Sequence, residues 1–340
     1  MGIQHYIPYS WPRRVLFSLA PEASHYRSLQ LVDQAYRLRM LGDPQPMPGR
    51  RLSFAGLNFE NSVGLAAGLD KNATHIDSLG SLGFGSIEVG TVTPLPQPGN
   101  PAPRLFRLAN KQAIINRMGF NNLGVEAMIP HLKKRQYSGI LGVNIGKNKQ
   151  TPANRAIDDY IYAMHKVFLY ADYITANISS PNTQGLRDLQ QEKNNSQFLE
   201  QLVSAHEHLQ KKYAKHCPLF LKLAPDLTEA AITQLAHTIL RVGINGVILT
   251  NTTIARDGVT DHLYGYETGG LSGAPLRQQS TQVLQSFRQL LGADYPIIGV
   301  GGIDSKLAAD EKITAGANLV QIYTGFIYQG WDLIEQCAYC

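Results

Sequence analysis

Two serines and two asparagines crowd one proline in ANISSPNTQGL (176–186), directly after an apolar run and with no histidine or carboxylate among them. Hydroxyls and amides of this kind can orient a planar polar ligand, although Ser180 before Pro181 would on its own make an ordinary turn. Two lysines add charge. Lys222 lies inside the apolar stretch LFLKLAP, where an ammonium is costly unless it faces a charge or a ligand. Lys71 follows the small residues of LAAGLD and leaves three roles open: a Schiff-base nucleophile, an anion anchor, or an ion-pair partner of Asp70.

Glycines recur in GVGGI, QIYTGF and GGLSGAP, and Gly301, Gly302, Tyr323, Thr324 and Gly325 suit a phosphate held on backbone N–H groups. GGLSGAP (269–275) reads as a further cluster of donors ahead of a helix. Amides and hydroxyls recur as well, at Thr91, Asn144, Asn177, Thr250, Asn251 and Thr252, joined by Asn116 and Asn182. A phosphate site, a buried cation and an array of amides point to a phosphorylated planar cofactor, and flavin mononucleotide (FMN) fits best. Lys222 would then offset the negative charge that builds at the N1–C2=O edge of the reduced ring.

These residues converge only if the elements carrying them end at one place. From residue 63 onward, β-branched runs alternate with helix-length segments, at 63–67, 86–91, 140–145, 173–178, 219–223, 246–250, 297–300 and 319–323. Eight such units predict a (β/α)8 barrel of the α/β class, with its chemistry at the C-terminal ends of the strands. An open doubly wound sheet would show GxGxxG after its first strand, where this chain has AAGLDK. Residues 51–61 alternate about Gly56 like a hairpin closing the bottom of the barrel, and 93–120 is too long for a plain connection.

Ahead of the barrel stand two helical patterns broken at Pro21, the first opening on Ser10 as a cap and the second ending at Gly42. The expected division is an N-terminal helical extension over 1–42 and a barrel over 43–340. The helix pair reads either as core docked on the barrel or as an interfacial pair dipping into one leaflet.

Composition narrows the class. With 44% hydrophobic and 17% charged residues the chain is that of a folded protein. Cys217, Cys337 and Cys340 suit neither a disulfide framework nor a metal site, which implies a reducing compartment and no metal. No apolar run approaches the roughly 20 residues of a membrane span. Residues 1–51 hold seven arginines against three acids, so the basic excess is N-terminal. It accompanies an apolar helix pair rather than an aromatic-bearing barrel mouth, which argues against nucleic acid.

GLAAGLDK, GFGSIEVGTVTP, NRMGFNN, NIGKNK, NISSPNT, KLAPDL, TNTT, GGLSG, IIGVGGI and QIYTGF together resemble the dihydroorotate dehydrogenases of the membrane-associated, quinone-reducing class. The resemblance runs from about residue 10 to about 335 in order and spacing. It implies oxidation of (S)-dihydroorotate to orotate in pyrimidine synthesis, with a hydride passing to flavin N5, a proton to the base Ser180, and quinone as final acceptor. Soluble relatives carry cysteine where this chain has Ser180.

By the same match, Ala67, Gly68, Leu69, Asp70, Lys71, Thr91, Asn144, Asn177, Lys222, Thr250, Gly273, Gly302, Tyr323 and Thr324 would hold FMN. Lys71, Asn116, Arg117, Met118, Gly119, Phe120, Asn177, Asn182, Asn251 and Thr252 would hold the substrate, and Thr183 and Phe120 would shape the proton's route. The N-terminal helices would form an apolar quinone tunnel with His25, Arg107 and Tyr323 at its polar end. A peripheral enzyme on the cytoplasmic face of a bacterial inner membrane is the expected setting, touching the membrane through those helices. Competing readings are another flavin barrel such as a pyrimidine or RNA-dihydrouridine reductase, a lyase using Lys71 as a Schiff base, and a membrane-docked binding protein.

Overall fold

The computed structural model describes residue 2 and residues 6–190 and 192–340, so positions 1 and 3–5 of the expected 1–42 segment lie outside the described residues. Two helices come first, α1 (Ser10–Phe17) and α2 (Pro21–Arg37). Ser10 does not cap α1: Tyr9 is already helical in its backbone, holds the cap position, and leaves Ser10 in the first turn. Pro21 opens α2 where a missing N–H costs nothing. The helix ends at Arg37, well short of Gly42. Arg39 takes a left-handed φ of 56°, and its N–H bonds Tyr36 O while the Met40 N–H bonds Ala35 O, each at 2.9 Å. This is a Schellman turn made without its usual glycine, which is why the sequence misplaces the end.

The strands follow in chain order. β1 (Leu52–Phe54) and β2 (Leu57–Phe59) form a hairpin, and β3 (Val63–Leu65) and β4 (Ser86–Val92) begin the barrel. β5 (Leu105–Leu108) and β6 (Ala113–Asn116) leave it. β7 (Ile140–Ile145), β8 (Tyr173–Asn177), β9 (Leu219–Leu223) and β10 (Gly246–Leu249) continue it, β11 (Gly270–Gly273) departs again, and β12 (Ile297–Val300) and β13 (Leu319–Ile322) complete it. The eight barrel strands are all parallel and lie in chain order, closed where Val320 of β13 pairs with Val63 of β3. Each predicted run matches a barrel strand to within two residues.

Strand β4 is buried at every position, as expected where side chains fill the barrel inside and helices cover it outside. The covering helices are α3 (Ile76–Gly80), α4 (Val125–Lys134), α5 (Ala156–Val167), α6 (Glu192–Tyr213), α7 (Glu229–Val242), α8 (Arg277–Leu291) and α9 (Lys306–Thr314), with α10 (Thr324–Gln329) and α11 (Trp331–Cys337) after the last strand.

The hairpin closes the bottom. Phe54 and Phe59 stack at 4.7 Å, Phe54 meets Phe220 edge-on at 6.2 Å, and Phe220 meets Tyr173 at 5.3 Å. Phe220, Tyr173 and the neighbouring Leu319 stand at the N-terminal ends of their strands, so this apolar plug leaves the opposite end for ligands. GGLSG is more than a loop cluster: Gly270–Gly273 pairs antiparallel with Asn116–Ala113, making a three-stranded sheet with β5. Gly270 is needed for fit, since a Cβ there would lie 1.9 Å from Thr252 Oγ1. That pairing spans more than 150 residues of chain, and no local pattern announces it.

Candidate active site

The strand ends and the three-stranded sheet enclose a cavity of about 1200 Å³. Its cations are Lys71 and Lys222, and no carboxylate among the described residues borders it. Such a lining selects anions.

Lys222 is buried in β9, with Glu88 Oε1 3.9 Å from its Nζ and no hydrogen bond to protein among the described residues. Its donors remain for a ligand. Burial lowers its pKa and the Glu88 carboxylate opposes that shift. Glu88 itself is fully buried in β4 and accepts from Asn144 Nδ2 at 2.7 Å, Gln321 Nε2 at 2.9 Å and Tyr173 OH at 3.0 Å. It was not singled out from the sequence, yet a carboxylate inside the apolar run SIEVG is the same signal that exposed Lys222.

A polar chain continues upward from Glu88. Thr91 Oγ1 donates to Asn144 Oδ1 at 2.5 Å, and Asn177 Nδ2 donates to Thr91 Oγ1 at 3.0 Å. Ser179 Oγ donates to Asn177 Oδ1 and receives Asn251 Nδ2, both at 2.8 Å. Each amide is therefore held in one orientation before any ligand arrives. Asn144 contributes from beneath, as it does not itself border the cavity.

Lys71 Nζ donates to Gly68 O at 2.7 Å, and burial pushes its pKa down to about 8. Asp70 is not its hydrogen-bonding partner: that carboxylate accepts the Thr74 and His75 N–H groups at 3.0 and 2.8 Å, acting as a local cap. Ser180, buried in the loop after β8, presents an Oγ that accepts the Asn182 N–H at 3.2 Å. Asn182 in turn donates to Asn116 O at 3.1 Å, which joins the serine loop to β6.

At the far side, Gly301 and Gly302 take φ of 110° and 73°, and the first-turn N–H groups of Thr324 and Gly325 lack intrahelical acceptors. Gly302 packs tightly, since a Cβ would lie 2.3 Å from Arg277 Cα. Together with the unpartnered Lys222 donors and a buried, unpaired Gln321 Oε1, this set fits a phosphate-bearing ligand with a polar planar edge.

Most residues expected to hold FMN or substrate border this cavity, but four do not. Asn144 and Asp70 lie behind it as described. Leu69 faces a second cavity. The Arg117 guanidinium turns away, bonded to Glu267 Oε2 at 2.6 Å and lying over the Phe106 ring at 4.5 Å. Thr183 is buried but also stands off the cavity.

The second cavity, of about 1350 Å³, is lined mainly by apolar residues of α1 and α2 and by α10. His25, Leu105, Ile114 and Tyr323 border both cavities and form the partition between them. Burial drops the His25 pKa to about 3 and lifts that of Tyr323 to about 12, so both are neutral at pH 7. Arg107 borders the apolar cavity, its Nη1 on Phe17 O at 3.1 Å and its guanidinium over the Phe17 ring.

A family model described as dihydroorotate dehydrogenase matches residues 51–338. A protein of Cellvibrio japonicus named dihydroorotate dehydrogenase (quinone) is 52% identical, over 97% of each chain, and so is its namesake from Marinobacter nauticus. Among solved structures, that of DHODH from Eimeria tenella in complex with ferulenol is similar at a TM-score of 0.85 and 37% identity, over 95% of this chain and 93% of that one.

Proposed function

The chain belongs to the dihydroorotate dehydrogenase family, and we infer from this that it oxidises dihydroorotate to orotate with a quinone as electron acceptor, within pyrimidine biosynthesis. The observation that best supports this reading is the pair of cavities with one thin partition. One is polar and cationic, suited to an anionic substrate. The other is apolar, suited to a hydrophobic acceptor.

FMN is the proposed cofactor, and the fit of its site rests on the glycine and first-turn N–H groups, the free donors of Lys222 and the fixed amides. When bound, FMN supplies a hydride acceptor on the substrate side and an electron donor on the quinone side. Lys222, Thr91, Asn177, Thr250, Gly273, Gly302, Tyr323 and Thr324 would hold it within the cavity, while Asn144 and Asp70 fix their neighbours from behind. Lys71 would pair with the substrate carboxylate, and Asn116, Asn177, Asn182, Asn251 and Thr252 with its amide edges.

Ser180 is the proposed base for the C5 proton. A serine hydroxyl is a weak base, so its own proton must pass to a water chain, on a route shaped by Thr183 and Phe120, as the C5 proton arrives, and the Asn182 N–H at 3.2 Å stabilises the negative charge that builds transiently on Oγ. Arg117 would contribute through its backbone, since its guanidinium is committed elsewhere.

Residues 1–42 form the proposed quinone and membrane segment, with His25, Arg107 and Tyr323 at the polar end. Trp11, Val15, Leu31 and Leu38 project from it into solvent, and no described helix is long and apolar enough to cross a membrane. Peripheral attachment to the cytoplasmic face of a bacterial inner membrane follows as the proposed setting.

The test is to add dihydroorotate without oxygen to the purified yellow protein and follow the visible absorbance, then supply a soluble quinone or NAD. Bleaching by dihydroorotate with recovery on quinone alone is expected. Absence of bound flavin, or of bleaching, overturns the reading and restores the Lys71 lyase alternative.

A further inference from the structure

Arg187 lies a few residues past Ser180, and none of the roles above employs it. Its guanidinium spreads three donors over three different loops. Nε bonds Ser179 O at 2.9 Å in the loop after β8, Nη1 bonds Asp226 Oδ2 at 2.8 Å in the loop after β9, and Nη2 bonds Thr252 O at 2.9 Å in the loop after β10. Asp226 extends the junction. Its Oδ1 accepts the Thr253 hydroxyl, its Oδ2 the Ile254 N–H at 3.2 Å, and Gln279 of α8 reaches Oδ1 at 3.4 Å. Both side chains are mostly shielded, at 21% and 15% exposure, so the pair is screened less than a surface one.

The acceptors decide what this junction does. Ser179 O belongs to the peptide that joins Ser179 to Ser180, so the Arg187 bond fixes the peptide plane from which the proposed base projects. Thr252 O anchors the loop that carries Asn251 and Thr252. None of Arg187, Asp226, Ser179 and Thr252 borders the apolar cavity.

We infer that Arg187, set by Asp226, is a positioning residue for the reductive half-reaction alone: it registers the Ser180 loop against the Asn251–Thr252 loop across the substrate. This rests on the dihydroorotate reading given above. Lysine cannot replace it, because a single ammonium on a flexible stem does not reproduce a planar fork aimed at three divergent acceptors.

The experiment compares holoenzyme and Arg187→Ala by anaerobic rapid mixing, first with dihydroorotate and then, after chemical reduction, with a soluble quinone. Expected is a full flavin complement, bleaching slowed about 100-fold, the scale of a misplaced catalytic group, and unchanged reoxidation. Millimolar guanidinium ion should partly restore bleaching, whereas Arg187→Lys should not. Unaltered bleaching, or equal slowing of both half-reactions without guanidinium rescue, overturns the inference. If Arg187→Ala does not fold, Asp226→Asn carries the same comparison, with the same selective loss expected. Failure of the unsubstituted protein to bleach would sink the dihydroorotate reading instead, so the two failures are separable.

Discussion

At Ser180 the backbone supplies what the side chain lacks. A hydroxyl becomes a useful base only where its oxygen is held and its developing charge is met, and the Asn182 N–H does both. Ser180→Ala is expected to keep its flavin and its thermal stability while dihydroorotate bleaches it at least ~100-fold more slowly, as read by anaerobic rapid mixing. Lys71 shows the opposite balance, function held at a cost in stability. Burial lowers its pKa from 10.5 to about 8, so between these values the unfolded chain binds more protons than the folded one. Stability therefore rises with pH across that window, and the penalty is at full strength below it. Lys71→Met should melt higher at pH 7, lose the rise between about pH 8 and 10.5, and bind orotate poorly, all measurable by thermal melts with and without orotate.

Among the elements, β4, β7, β8, β9 and β13 are joined inside the barrel by the carboxylate of Glu88, which meets Asn144, Tyr173, Lys222 and Gln321. Removing one member of a buried ionic cluster strands the others. Glu88→Ala is expected to lower the unfolding free energy by about 3–5 kcal/mol in denaturant titrations, more than Glu88→Gln, which fills the space and keeps one accepting oxygen but drops the charge. Helix α1 is attached differently. Tyr9 OH bonds Ile327 O at 2.8 Å and Arg13 bonds Tyr328 O at 2.7 Å, while Leu16 is its sole buried residue. Removal of residues 1–18 should thus spare bleaching by dihydroorotate and slow reoxidation by a long-tailed quinone more than by a short-tailed one. Equal slowing with both quinones would make α1 merely structural.

For the whole molecule, the two cavities impose a direction. The polar one lies among the loops at the strand ends, and the apolar one lies under α1 and α2, where Trp11 and Val15 of α1 are exposed. A membrane acceptor would arrive from that second side. Flotation with lipid vesicles should carry the intact protein upward, and replacing Trp11 and Val15 with aspartate should leave it in the dense fraction. An unchanged bound fraction would place the contact elsewhere.

The sequence by itself determined the barrel and its eight strands and exposed Lys222, because periodic burial and a charge inside an apolar run are local properties, whereas Ser180 stood out only through the motifs around it. It did not yield the end of α2, where Arg39 adopts a conformation usually left to glycine, nor the pairing of β11 with β6. Glu88 carried a readable signal that went unused, but the partition residues Leu105 and Ile114 and the Arg187–Asp226 junction emerged only in three dimensions. Their partners lie far away along the chain, and Arg117 shows the reverse case, a side chain inside a matching motif that folding turns toward Glu267. Local pattern sets which elements form, while which side chains meet is decided by closure of the barrel, which brings distant strand ends to one mouth.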